Sequence, residues 1–104
     1  MIDKVKIGYQ IYTIEMVDGM DDLDGDCDAD AAVIRIDKNQ AQPWRLTNTV
    51  IHELLHAVWD QWCDATLDDD TQERIVSGIA NGLTAILADN PEITIQRLVR
   101  ADDV

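Results

Sequence analysis

The only two histidines of the chain stand four residues apart in "TVIHELLHAVWD" (49–60), with a glutamate directly after the first. Residues at i and i+4 of a helix project from one face, so His52 and His56 can close on a single metal ion. Neutral imidazoles suit zinc, and H-E-x-x-H is the spacing at which a helix offers two zinc ligands and a carboxylate base. Glu53 points about 100° away from His52 on the helical wheel. That direction makes it a poor third ligand and a good neighbour for a metal-held water, whose pKa zinc lowers toward about 7. The chemistry that these three residues could perform is therefore metal-assisted hydrolysis with Glu53 as general base.

A catalytic zinc site takes three protein ligands and leaves one position open. No further histidine exists, and Trp59 and Trp62 occupy the positions where an extended three-histidine motif would carry glycine and histidine. The third ligand must then be Asp, Glu or Cys. Glu73 is the choice: it follows His56 after a turn and borders the apolar stripe of the next helix, as the histidines border theirs. Its competing role is structural, because Asp70 and Glu73 in "DTQE" match a capping pair and a first-turn Glu favours the helix dipole. Asp68, Asp69 and Asp70 are alternative ligands. Cys63 lies about 10 Å along the axis from His56 and reads better as a small hydrophobe.

The elements that must position these groups follow from pattern. "VKIGYQIYTIEMV" (5–17) reads as a strand interrupted at Gly8, and "AAVIRID" (31–37) as a second strand. The Asp- and Gly-rich segment between them, 18–30, reads as a loop. An EF-hand alignment of its aspartates fails, because Ala29 and Arg35 fall where Gly and the bidentate Glu belong. "QPWRLTNTVIHELLHAVWDQWC" (42–63) reads as a long helix with Pro43 in the first turn. Its apolar stripe comprises Trp44, Ile51, Leu54, Leu55, Val58 and Trp62. "TQERIVSGIANGLTAILAD" (71–89) reads as a second helix with Ile75, Val76, Ile79, Leu83, Ile86 and Leu87 on its stripe. Gly78 and Gly82 each weaken that helix by about 1 kcal/mol, which suggests close approach of a neighbouring element. Asn90-Pro91 ends it. "EITIQRLVRADDV" (92–104) fits a short helix or a strand equally well.

At 104 residues the chain is read as one domain, 1–104, of α+β class. Its 8 basic and 21 acidic residues give a net charge of −13. That balance repels phosphate backbones and anionic lipid, so neither nucleic acid nor a membrane is expected as partner. It suits a basic peptide or protein substrate. Two cysteines make no disulfide framework, and no stretch reads as a signal peptide or membrane span, so a reduced, cytoplasmic setting is expected.

From "AAVIRID" through "LTNTVIHELLHAVW" (46–59) to "QERIVSGIANGL" (72–83) the chain resembles compact gluzincin-type zincins, including small zincin-like proteins encoded by phages and prophages. The uncharged flanks Thr49, Val50, Leu54, Leu55, Ala57 and Val58 match that family's motif helix, although any buried helix shares their apolar character. The resemblance implies a minimal zincin-like domain, in which a small antiparallel sheet packs on the H-E-x-x-H helix and a second, Glu-bearing helix. It implies one Zn2+ per chain on His52, His56 and Glu73, Glu53 as catalytic base, and peptide-bond hydrolysis. It also implies that an edge strand before the motif helix lines the substrate cleft, here Val33, Ile34, Arg35 and Ile36. Such enzymes supply a Tyr, His or Arg to the oxyanion; Tyr9, Tyr12, Arg35, Arg45 and Arg97 are the available residues. Two rivals stand beside this reading: a zinc-binding interaction protein without catalysis, and an acidic mimic of nucleic acid.

Overall fold

The structure is a computed structural model that describes residues 3–93. It is α+β, with four strands and two helices: β1 (Lys4–Ile7), β2 (Gln10–Val17), β3 (Gly25–Asp28), β4 (Val33–Asp37), α1 (Pro43–Trp62) and α2 (Asp69–Asp89). The segment 94–104, which includes most of the ambiguous tail and Arg97, lies outside the described residues.

The interruption at Gly8 is a hairpin. β1 pairs antiparallel with β2 from Lys4↔Thr13 to Ile7↔Gln10, across a two-residue turn in which Gly8 has φ +60°. A two-residue turn that follows strand twist needs a residue tolerant of positive φ, and glycine supplies it. The sheet order is β1-β2-β4-β3. β4 inserts between β2 and β3, parallel to β2 (Thr13↔Val33) and antiparallel to β3 (Cys27↔Ile34). The sheet is therefore mixed, which corrects the expected antiparallel sheet. The chain leaves β2, runs past the place β4 will take, and returns through β4 in the direction of β2.

This order also corrects the expected edge. Residues 31–37 contribute an inner strand, and the edge beside the helices is β3, inside the segment read as a loop. β3 is hard to see in "GDCD" because aspartate and glycine disfavour strands. Its identity rests on pairing with β4.

The core lies between the sheet and α1. Ile7, Tyr12, Ile34, Ile36 and Ala57 are buried, with Val5, Ile14, Met16, Leu46, Val50, Leu54 and Val58 packed against them. Along α1 the deepest line is Thr49, Glu53 and Ala57. The larger apolar residues of the expected stripe flank that line, and Trp44 and Trp62 are exposed. α2 packs on α1 through Val76, Ala80 and Thr84. Ile75, Ile79, Leu83 and Ile86 are exposed instead of facing the core. Gly78 and Gly82 share that outer side, and a Cβ on either would meet nothing within 4 Å, so no close approach explains them among the described residues. No helix of the described residues is long and apolar enough to cross a membrane.

Candidate metal centre

Three short links turn the two helices into one donor set. α1 ends at Trp62, where the Cys63 amide donates to the Trp59 carbonyl. A tight turn follows, held by the Thr66 amide and hydroxyl on the Asp64 carboxylate. Asp68 then caps α2 by accepting from the Thr71 amide at 2.7 Å. Asp69 and Asp70 occupy the first turn, where acidic groups favour the dipole. With Asp68 as the cap, Glu73 is not needed for that role. Its carboxylate turns toward α1, with Oε1 2.8 Å from His52 Nε2 and Oε2 2.9 Å from His56 Nε2.

The two imidazole Nε2 atoms are 3.2 Å apart, and their rings meet edge to face at 4.9 Å between centroids. Donors bonded to one tetrahedral zinc at about 2.0–2.1 Å would stand about 3.3 Å from one another. The two Nε2 atoms are close to that spacing, Glu73 reaches each with a different oxygen, and one ligand atom from each residue lies within 4.8 Å of the others. Two imidazoles and a carboxylate are a set that zinc accepts. His52, His56 and Glu73 thus fit the ion. Among the described residues they are the one group of three such side chains gathered closely enough to hold a metal. Cys63 is exposed at the end of α1 and is not part of it.

The protonation of the site suits the same role. Burial lowers the pKa of His56, opposed by Glu73 and aided by the neighbouring His52. A neutral imidazole keeps a lone pair for a metal. His56 Nδ1 lies 3.0 Å from the side-chain amide of Gln72. The Gln72 Nε2 amide donates to Nδ1, which leaves the ring proton on Nε2, 2.9 Å from the Glu73 carboxylate; a metal at Nε2 would displace that proton. Gln72 was not legible as a site residue, because nothing in its type or spacing separates it from a solvated helix position.

Glu53 is buried at 6% exposure, and no hydrogen-bond partner is found for it among the described residues. Burial first, then the charges of Glu73 and Asp26, push its pKa up to about 7. The β3 backbone runs against its stem. A Cβ on Gly25 would stand 3.2 Å from Glu53 Cγ, and 2.9 Å from both the Arg35 carbonyl oxygen and Thr49 Cγ2. Glycine at position 25 is what lets the edge strand lie this close to the motif helix.

Two cavities meet at the donors. One, of about 580 Å³, is lined by His52, Glu53, His56 and Glu73 together with β3 and the start of α2. The other, of about 220 Å³, shares His52, Glu53 and Glu73 and continues past Leu23, Asp24 and Asn48. Together they form a groove along β3. Val33, Ile34 and Ile36 line neither, because β4 lies behind β3: Ile34 and Ile36 are buried under α1, and Arg35 is paired with Asp26 on the opposite face of the sheet. The groove wall expected from residues 33–36 is thus supplied by Gly25, Asp26 and Cys27 of β3.

The residues considered for the oxyanion lie elsewhere. Tyr12 is buried and near Gln10, and Tyr9 is exposed beside Gln61. Arg35 and Arg45 are paired with Asp26 and Asp24. The donors that line the larger cavity are neutral: the Trp59 indole, the Gln72 amide and the backbone of β3. Cys27 also lines it, and burial pushes its thiol up to about 12, which keeps it protonated. The chain matches no protein-family model, no curated protein and no solved structure.

Proposed function

We propose that the chain is a zinc-dependent metallopeptidase of the zincin type. The observation that carries this reading is the convergence of His52 and His56 from α1 with Glu73 from α2, beside a buried Glu53 at the floor of a groove. Zinc, when bound, supplies a Lewis acid that activates water and polarises a carbonyl. His52, His56 and Glu73 would hold it, and the Gln72 amide on Nδ1 orients the His56 ring. Glu53 takes the proton of the attacking water and returns it to the leaving amine nitrogen. β3 has one ladder edge paired with β4 and leaves the other to the groove, so an extended peptide can add as a further strand across the site. Backbone amides of β3 and the neutral donors of Trp59 and Gln72 are the groups available to the oxyanion. The two thiols, free of each other, agree with a reduced, cytoplasmic setting.

The test is metal content followed by activity. Wild type should bind one zinc per chain and hydrolyse peptides from a mixed-sequence library. Glu53→Gln should keep the zinc and lose hydrolysis by at least about a hundredfold. A protein that ignores added zinc overturns the reading.

A second reading is a zinc-binding interaction protein without catalysis. The absence of a cationic or phenolic side chain among the described residues lining the groove favours it. It predicts one zinc per chain and no hydrolysis in the same library.

A further inference from the structure

α2 turns one side to α1 and leaves the other bare among the described residues. At about 100° per residue, Ile75, Ile79, Gly82, Leu83 and Ile86 fall within a sector of about 100°. The three isoleucines and the leucine are 38% to 49% exposed, and from Ile75 to Ile86 the sector holds no polar side chain. A continuous apolar stripe of this kind on a helix is normally turned to a core, and left on the surface it marks an interaction site. Asp89, Gly78 and Arg74 follow along one edge of the sector. Arg74 and Asp89 are exposed, and neither has an ion-pair partner among the described residues.

The order of these residues is close to a palindrome. The midpoints of Ile75 with Ile86, of Ile79 with Leu83, and of Arg74 with Asp89 all fall between Ala80 and Gly82. A two-fold contact needs a surface complementary to itself, in which residue i meets j and j meets i. We propose that this face binds a second copy of the chain, with the two α2 helices antiparallel and the dyad at the level of Asn81. The dyad of an antiparallel helix pair brings like edges together, so Arg74 lies opposite the partner's Asp89, and Asp89 opposite the partner's Arg74. Charge cancels within the face, so two chains of −13 repel through surfaces outside it. A Cβ on Gly78 or Gly82 would meet nothing within 4 Å, which leaves the backbone open to the partner's branched side chains. Glu73 turns toward α1, so the metal donors stay outside the contact and the inference does not depend on the peptidase reading.

The experiment is sedimentation equilibrium of the full-length chain from about 5 to 500 µM at about 0.15 M salt, where charges beyond about 8 Å are screened. One helix face is at the low end of interface sizes, so wild type should dimerise with a Kd of about 10–100 µM and stay monomeric when dilute. Ile79→Asp should remove the dimer while circular dichroism of the monomer stays that of wild type. Arg74→Asp and Asp89→Arg each set like charges against like at both ends and should weaken association at least about tenfold. An equimolar mixture of these two single variants should recover it, because their heterodimer pairs opposite charges at both ends. A chain that is monomeric up to 500 µM overturns the inference, whether the face is bare or covered by residues 94–104. So does a dimer that survives Ile79→Asp, or a mixture of the charge variants that associates no better than either alone.

Discussion

The two faces of α1 are built from different materials. Toward the sheet it meets Ile7, Tyr12, Ile34 and Ile36, a core of large apolar side chains. Toward α2 its polar contacts are the Asn48 amide on Asn81 and Thr84, and the histidines on Glu73 and Gln72. The buried residues that α2 brings to that side are Val76, Ala80 and Thr84, while its larger apolar groups face outward. One interface is held by apolar burial. The other packs small buried residues, is hydrogen-bonded, and is crossed by the contacts of His52 and His56 with Glu73. The difference teaches where a bound ion would act: it would tie α2 to a unit that the sheet already stabilises.

Substitutions on the two sides should separate these contributions. Ile34→Ala removes a fully buried side chain and should cost about 2–5 kcal/mol, with or without zinc, in urea unfolding followed by tryptophan fluorescence. Glu73→Ala should cost the metal-free protein much less, since that carboxylate is half-exposed. It should instead abolish the increment from zinc, which at a free concentration a hundredfold above Kd is about 2.7 kcal/mol. A metal-free Glu73→Ala protein as unstable as Ile34→Ala would break the comparison.

The pH dependence of the metal-free protein sharpens it. The folded-state pKa of Glu53 is raised above the usual carboxylate value, to about 7. The folded state therefore binds its proton more tightly than the unfolded chain does. The associated stability is present below about pH 4.5 and is lost as pH rises toward 7. The lowered pKa of His56 acts in the opposite sense, its stability being lost as pH falls below the usual imidazole range. Thermal melts of wild type and Glu53→Gln between pH 4.5 and 8 should differ by the Glu53 contribution alone. The variant should gain on wild type as pH rises, and a constant difference would remove the burial argument.

The smallest effect belongs to the outer side of α2. Gly78→Ala and Gly82→Ala place a methyl in open space among the described residues, so each should stabilise by up to about 1 kcal/mol through helix propensity. A loss of stability in the melt would mean that this side is covered.

The helices and the donor positions were legible because the information is local. Four-residue spacing, Pro43 near the start of α1 and Asn90-Pro91 at the end of α2 are statements about neighbours in the chain. β3 was not legible, since "GDCD" is a strand only by virtue of β4, and the parallel pairing of β2 with β4 leaves no local mark. The apolar stripes were misjudged for a related reason. On α1 the edge strand comes close at Gly25, so the deepest line is Thr49, Glu53 and Ala57. On α2 no described element covers Ile75, Ile79, Leu83 and Ile86. Gln72 comes to the site only through its position one residue from Glu73, where its amide meets His56.

The closeness of the donors along the chain has a kinetic consequence. His52 and Glu73 are 21 residues apart, on two helices joined by a short turn, whereas the side chain of Gln61 bonds to Ile7 across 54 residues. Contacts between near neighbours close faster than distant ones, because less loop entropy is lost in making them. The helical hairpin that carries His52, His56 and Glu73, and the β3–β4 hairpin from Gly25↔Ile36 to Asp28↔Val33, are therefore expected early in folding, and the packing of α1 on the sheet, which closes the groove, later. His52, His56 and Glu73 can come together before the groove beside them is closed.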